Sequence, residues 1–99
     1  MNISVIGCGR WGSFLAWYLD RLNHHITLYG RMGSQKMKTL LEGRTNGLVT
    51  LNKEIALTSD LAETVDTAEI LVVSIGAQSF RALMQQLSGF DLGGKTIVL

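Results

Sequence analysis

Residues 1–14 read MNISVIGCGRWGSF, with glycine at positions 7, 9 and 12. The residues before the first glycine, Asn2 to Ile6, are short, carry β-branched side chains and end at glycine, which predicts a buried strand. Beyond it, Trp11, Phe14, Leu15, Tyr18, Leu19 and Leu22 recur with the spacing of one helix face. That spacing predicts a helix from about Arg10 to about Leu22, these side chains turned inward and Trp17 off the stripe. A strand, a tight glycine turn and an amphipathic helix therefore follow one another at the start of the chain.

The same alternation continues. His25 to Tyr29 reads as a second strand, and Ser34 is placed to cap a helix that turns Met37, Leu40 and Leu41 inward and stops at Gly43. The stretch RTNGLVTLNKE (Arg44 to Glu54) reads as a loop with some extended structure, followed by a third strand from Ile55 to Thr58. Asp60 with Glu63 makes a capping box for a short helix through about Val65. The run EILVVSI (Glu69 to Ile75) is nearly all apolar, as a central parallel strand must be when both its faces are covered. Phe80, Leu83, Met84 and Leu87 form a helical core stripe ending at Ser88-Gly89, and Lys95 to Leu99 starts a fifth strand. The expected fold class is α/β: a Rossmann-type doubly wound parallel sheet of order 3-2-1-4-5 with right-handed crossovers. Its switch point falls between strands one and four.

Composition bounds what such a domain can do. With 99 residues, the chain holds one domain and one modest core. Apolar residues at 46% and charged residues at 17% describe a globular chain and exclude disorder. A net charge of +1 gives no field to attract nucleic acid, and no apolar run approaches the roughly 20 residues of a membrane span. A single cysteine, Cys8, excludes an internal disulfide framework and suits a reducing, cytoplasmic location. Neither paired cysteines nor clustered histidines are present to hold a metal.

The glycines then acquire separate tasks. Gly7 permits the turn out of the first strand, Gly9 lets backbone approach a pyrophosphate with no Cβ between, and Gly12 allows close helix–sheet packing. Free N–H groups and the positive end of the helix dipole face the phosphates. The motif follows a strand and opens a helix within a βα repeat, which is the context that makes it a dinucleotide site. At the end of the second strand an NAD site usually places an acid to accept from the ribose 2′-hydroxyl. Here the sequence is LYGRMGSQKMK, with no acid from Leu28 to Leu41 and Arg31 where the acid would be; Ser34, Lys36 and Lys38 lie nearby. A guanidinium fork matches a 2′-phosphate, so NADP is favoured over NAD.

Other reactive side chains read as structural. His24 and His25 fall at the amino edge of the sheet, far from the switch point, and read as a surface turn. Cys8 lies at a helix N-terminus, an environment that lowers a thiol pKa, but it has no His/Asp relay and reads as a small neutral spacer.

GCGRWGSFLA, LYGR and ILVVSIGAQSFRALMQQL together resemble the N-terminal domain of bacterial NAD(P)-dependent glycerol-3-phosphate dehydrogenases over nearly all of the chain. That family carries G-x-G-x-W-G-[ST]-x-[LF]-A, then L-[WY]-x-R, then V-P-[AS]-Q-x-x-R. The tryptophan within the glycine motif is its most distinctive element. The resemblance implies that Arg10 and Trp11 touch the cofactor from the turn, and that Arg31 with Met32 meets the adenosine 2′ side. It implies that Ile75, Gly76 and Gln78 lie against the cofactor at the end of strand four, with Phe80 close by and Arg81 matching the family's arginine. Two departures stand out: Gly76 replaces a proline, and GLVTLNKE replaces a Leu-Pro-Gly-like loop before strand three.

The resemblance further implies reduction of dihydroxyacetone phosphate to sn-glycerol 3-phosphate, feeding glycerophospholipid synthesis. In that family the catalytic lysine follows strand five, and a second lysine with the substrate-phosphate ligands lies in a helical C-terminal domain. No catalytic residue is therefore expected within residues 1–99, which read as the cofactor-binding fragment of a longer, cytoplasmic enzyme. A homodimer would form through the part beyond Leu99. Lys95 is no substitute, because it begins strand five at the rim opposite the ligand. Two rivals carry related features: another NADP-dependent reductase (ketopantoate reductase, opine or β-hydroxyacid dehydrogenase), disfavoured by Trp11 and GAQSFR, and a non-catalytic nucleotide-sensing module.

Overall fold

The computed structural model describes residues 1–99, in which strands and helices alternate throughout. The order is β1 (Asn2–Ile6), α1 (Arg10–Arg21), β2 (His25–Tyr29), α2 (Gln35–Gly43), β3 (Ala56–Thr58), α3 (Leu61–Thr67), β4 (Ile70–Val73), α4 (Ala77–Leu87) and β5 (Thr96–Val98). The sheet is parallel with order β3-β2-β1-β4-β5, as the βα alternation requires. Ile6 stands opposite Tyr29 on one side and Val73 on the other, so the carboxyl ends of three neighbouring strands share one rim.

β1 shows why the run NISVI is buried from Ile3 to Ile6. Ile3 and Val5 enter a core closed by Ala16, Met37, Leu40, Leu51 and Ile55. Ile6, on the opposite face, joins Val65, Leu71, Val73, Leu83 and Leu87. Alternate residues thus serve two cores, one on each face of the sheet. The polar Ser4 is tolerated on the second face because its hydroxyl donates to the Thr64 carbonyl at 2.7 Å. The outer strands are short, and β5 is exposed along its whole length.

Four expectations need correction. The buried face of α1 is Gly12, Ser13 and Ala16, not the large side chains. Trp11, Phe14, Tyr18 and Leu22 stand out to solvent, 66, 36, 48 and 50% exposed, while Trp17 packs on the core beneath the Arg21 guanidinium. The helix lies so close to the sheet that only small residues fit between them, and the aromatics stack outward, Trp11 on Phe14 at 5.5 Å and Phe14 on Tyr18 at 6.1 Å. In α2, Met37 and Leu40 are buried but Leu41 is exposed.

The same helix ends at Gly43 as its spacing predicts, but the glycine is its last helical residue and not its left-handed cap. Arg44 takes the left-handed cap (φ 57°), and its guanidinium donates to the carbonyls of Leu51, Asn52 and Ile55. Those bonds offset the cost of a non-glycine residue at positive φ and fold the 44–54 loop around one side chain. The loop's extended part is a single bridge between Thr45 and Thr50. Finally, the Asp60 capping box is half made. Asp60 accepts from Glu63 N at 3.2 Å, but the Asp60 N–H donates to Thr58 Oγ1 instead of to Glu63, and α3 runs on to Thr67.

Candidate functional site

The site is built from the three adjoining strand ends. β1 leaves the sheet at Gly7, whose N–H still donates to the Tyr29 carbonyl (2.9 Å) and whose φ of +118° is closed to other residues. A Cβ on Gly7 would lie 2.8 Å from the Ser74 carbonyl carbon and 2.9 Å from Ile75 Cγ2, with the Ser74 oxygen nearer still. A Cβ on Gly12 would lie 2.9 Å from the Gly7 carbonyl carbon, again with the oxygen nearer. These two glycines interlock β1, α1 and the end of β4. Gly9 is different. Its φ is −71°, and the one atom near a Cβ there is Lys36 Nζ at 3.5 Å.

The turn therefore presents an open shelf. The N–H groups of Arg10, Trp11 and Gly12 donate to no carbonyl in the chain, because the first helical bond is Ser13 N to Gly9 O. No side chain caps α1 and its first turn holds no acid, so the positive end of its dipole is uncompensated. Bare backbone, unused donors and positive potential converge where a diphosphate would lie, so the residues present fit a dinucleotide. The depression of about 410 Å³ bounded by Asn2, Ser4, His25 and Thr27 lies at the opposite, amino-terminal end of the strands.

The other residues singled out in the sequence reach the same rim by different routes. Arg31 and Met32 follow β2 and are exposed, Met32 by 81%. Ile75, Gly76 and Gln78 follow β4; Gly76 and Gln78 are exposed, and Ile75 packs on the second core. Phe80 is also held against that core, so its ring serves packing. Arg81 is exposed in the second turn of α4, one residue beyond the first turn that the sequence suggested. His24 and His25 lie at the far rim, where His24 Nδ1 is buried without a partner. Lys95 is there too, donating to the Ala68 carbonyl at 2.7 Å.

Two contributors were not singled out. Ser13 is fully buried, and its hydroxyl donates to the Cys8 carbonyl at 2.9 Å, which freezes the turn from beneath. Gly30 admits Met37 and Cys8: a Cβ there would lie 2.6 Å from Met37 Sδ and 2.8 Å from Cys8 Sγ. A serine within an otherwise apolar helix face, and a glycine at a strand end, were the available signals. Cys8 keeps the neutral form that its reading as a small spacer requires, and the helix N-terminus does not make it a thiolate. Burial pushes its thiol pKa up, and the opposing influences of Ser34, its own backbone and the Lys36 charge are smaller.

Gly76 explains one departure from the family pattern. It has φ −67° and ψ 156°, open space where a Cβ would be, and an N–H that donates to no carbonyl. Those are the conditions a proline needs. Gly76→Pro is expected to raise unfolding stability by about 0.4–1 kcal/mol, measured by urea titration; a loss of stability would contradict this backbone assignment.

A sequence model described as the N-terminus of NAD-dependent glycerol-3-phosphate dehydrogenase matches residues 2–99. The chain belongs to that family. Among curated relatives, the glycerol-3-phosphate dehydrogenase [NAD(P)+] of Thermoanaerobacter sp. (strain X514) is 37% identical over 90 residues, 88% of this chain and 27% of that protein. The enzyme of the same name from Afipia carboxidovorans is 39% identical over 89 residues, again 88% of this chain and 27% of that protein. Glycerol-3-phosphate dehydrogenase from Coxiella burnetii superposes with a TM-score of 0.86 at 16% identity, covering 97% of this chain and 30% of that one. A diketoreductase superposes at 0.72 and 16% identity, covering 98% and 40%, so the fold alone is shared with a different reductase. This member of the glycerol-3-phosphate dehydrogenase family spans under a third of the length of these curated relatives.

Proposed function

We propose that residues 1–99 form the cofactor-binding domain of a reductase that converts dihydroxyacetone phosphate to sn-glycerol 3-phosphate with NADPH or NADH. The observation that carries this is the open Gly9 shelf beneath three unused N–H groups, in a chain of this family. When bound, the nicotinamide supplies a hydride to the ketone carbon, while the alcohol oxygen takes its proton from a general acid outside these residues. Within the chain the work is binding and orientation. The Gly7, Gly9, Arg10, Trp11 and Gly12 turn would hold the diphosphate, and Arg31 with Met32 the adenosine side. Ile75, Gly76 and Gln78 would line the route toward the nicotinamide, with Phe80 steadying them from the core.

A cytoplasmic setting, use of the product in glycerophospholipid synthesis, and pairing through the part of the relatives that this chain does not cover belong to the same reading. A buried, lone Cys8 supports the reducing compartment. No helix is long and apolar enough to cross a membrane.

Arg31 tests the nucleotide preference. Titrated by calorimetry, the chain is expected to bind NADPH more tightly than NADH. Arg31→Asp should reverse that order, with NADPH affinity falling about tenfold or more. An unchanged order would strip Arg31 of its role. The substrate is tested in the protein that carries this domain, against dihydroxyacetone phosphate, ketopantoate and α-keto acids. Inactivity on the first with turnover of another would move the assignment to that reductase.

A further inference from the structure

The phosphate shelf has one cation aimed at it from a second element. Lys36 is the second residue of α2, and its ammonium lies 3.5 Å from where a Cβ of Gly9 would stand. This placement is built rather than incidental. Ser34 caps α2 by accepting from Met37 N, and Met37 is buried against Gly30 and Cys8, which ties the start of the helix to the glycine turn. With the helix start fixed on both sides, the side chain between those anchors extends over the shelf. Its charge is felt at the Cys8 thiol, inside the same turn.

Nothing there balances the charge. Arg10 lies at the start of α1, neither α1 nor α2 carries an acid in its first turn, and both helix starts point their positive ends at this corner. Lys95, by contrast, is bound to the Ala68 carbonyl at the far rim. A concentration of positive potential without a carboxylate is completed by an anion.

We infer that Lys36 closes over the cofactor's diphosphate from the side opposite the α1 N-terminus, so that α1 and α2 grip one phosphate pair between them. This rests on the dinucleotide reading above. It divides the labour between neighbouring cations: Arg31, at the end of β2, discriminates the 2′ position, while Lys36 serves NADH and NADPH alike. A phosphate oxygen seated on the free N–H groups of α1 would be shared with a mobile ammonium, a contact that needs no particular direction.

The test is calorimetric titration of wild type, Lys36→Gln and Lys36→Arg with NADH and with NADPH at two salt concentrations. Lys36→Gln is expected to weaken both dinucleotides by a similar factor, about five- to tenfold, and to flatten the salt dependence of binding. Lys36→Arg should restore most of the affinity. Lys36 is exposed, so the melting temperature should not move, which separates this effect from folding. Loss confined to NADPH would show that the ammonium reads the 2′-phosphate and would overturn the diphosphate assignment. Unchanged affinity for both, in a wild type that binds, would overturn the Lys36 inference alone. A wild type that binds neither dinucleotide would overturn the cofactor reading and this inference with it.

Discussion

Gly12→Ala lowers the melting temperature by about 12–24 °C, the equivalent of about 3 kcal/mol in a domain of this size. The cause is a single methyl group with nowhere to go. Gly12 faces the Gly7 carbonyl across the junction of α1 and β1, so an added Cβ meets backbone rather than a flexible side chain. Relief requires α1 to lift from the sheet, and Ser13 and Ala16 on the same buried face would then lose their contacts. A small domain holds about 5–15 kcal/mol in all, so this one change removes a large share. Thermal unfolding followed by circular dichroism measures it. A shift of less than about 2 °C would mean that α1 does not sit at this distance.

Gly9→Ala does the reverse: folding is nearly unaffected, and dinucleotide affinity falls by about a hundredfold. At φ −71° alanine is unstrained, and the Lys36 ammonium at 3.5 Å is an ordinary contact. Alanine caps a helix less well than glycine but loses less chain entropy on folding, and these effects are of similar size. The binding penalty arises because unused N–H groups must come within about 2.9 Å of phosphate oxygens, which leaves no space for a methyl. Parallel melts and NADPH titrations of the two variants separate the roles. Equal affinity of wild type and Gly9→Ala, in a chain that binds, would place the diphosphate elsewhere.

The strand order was legible because β1 and β4 place apolar side chains on both faces of the sheet and the glycine turn marks where a strand hands over to a helix. The phase of α1 was not. Its large side chains have helical spacing, and size suggested burial. Yet the distance between helix and sheet is set by the smallest residues, and Gly12, Ser13 and Ala16 took the inner face while the aromatic rings turned outward. Arg44 was hidden for another reason. Its left-handed backbone is stabilised by carbonyls 7 to 11 residues further on, which no local pattern reveals. At the site, the packing tasks of Gly7 and Gly12 were readable from their spacing within the turn. Lys36 and Ser13 were not, because their roles come from the packing of Met37 and from a carbonyl five residues back.

The central position of β1 has a bearing on how the chain is made. Of this domain's strands β1 is made before the others and pairs with β2 soon after, but its other edge stays bare until Ile70–Val73 emerges. At about 5–20 residues per second, that leaves several seconds in which a short, apolar edge is open to nascent neighbours. The domain cannot fold progressively from its N-terminus; it must wait for the second half of its own synthesis before its middle is complete.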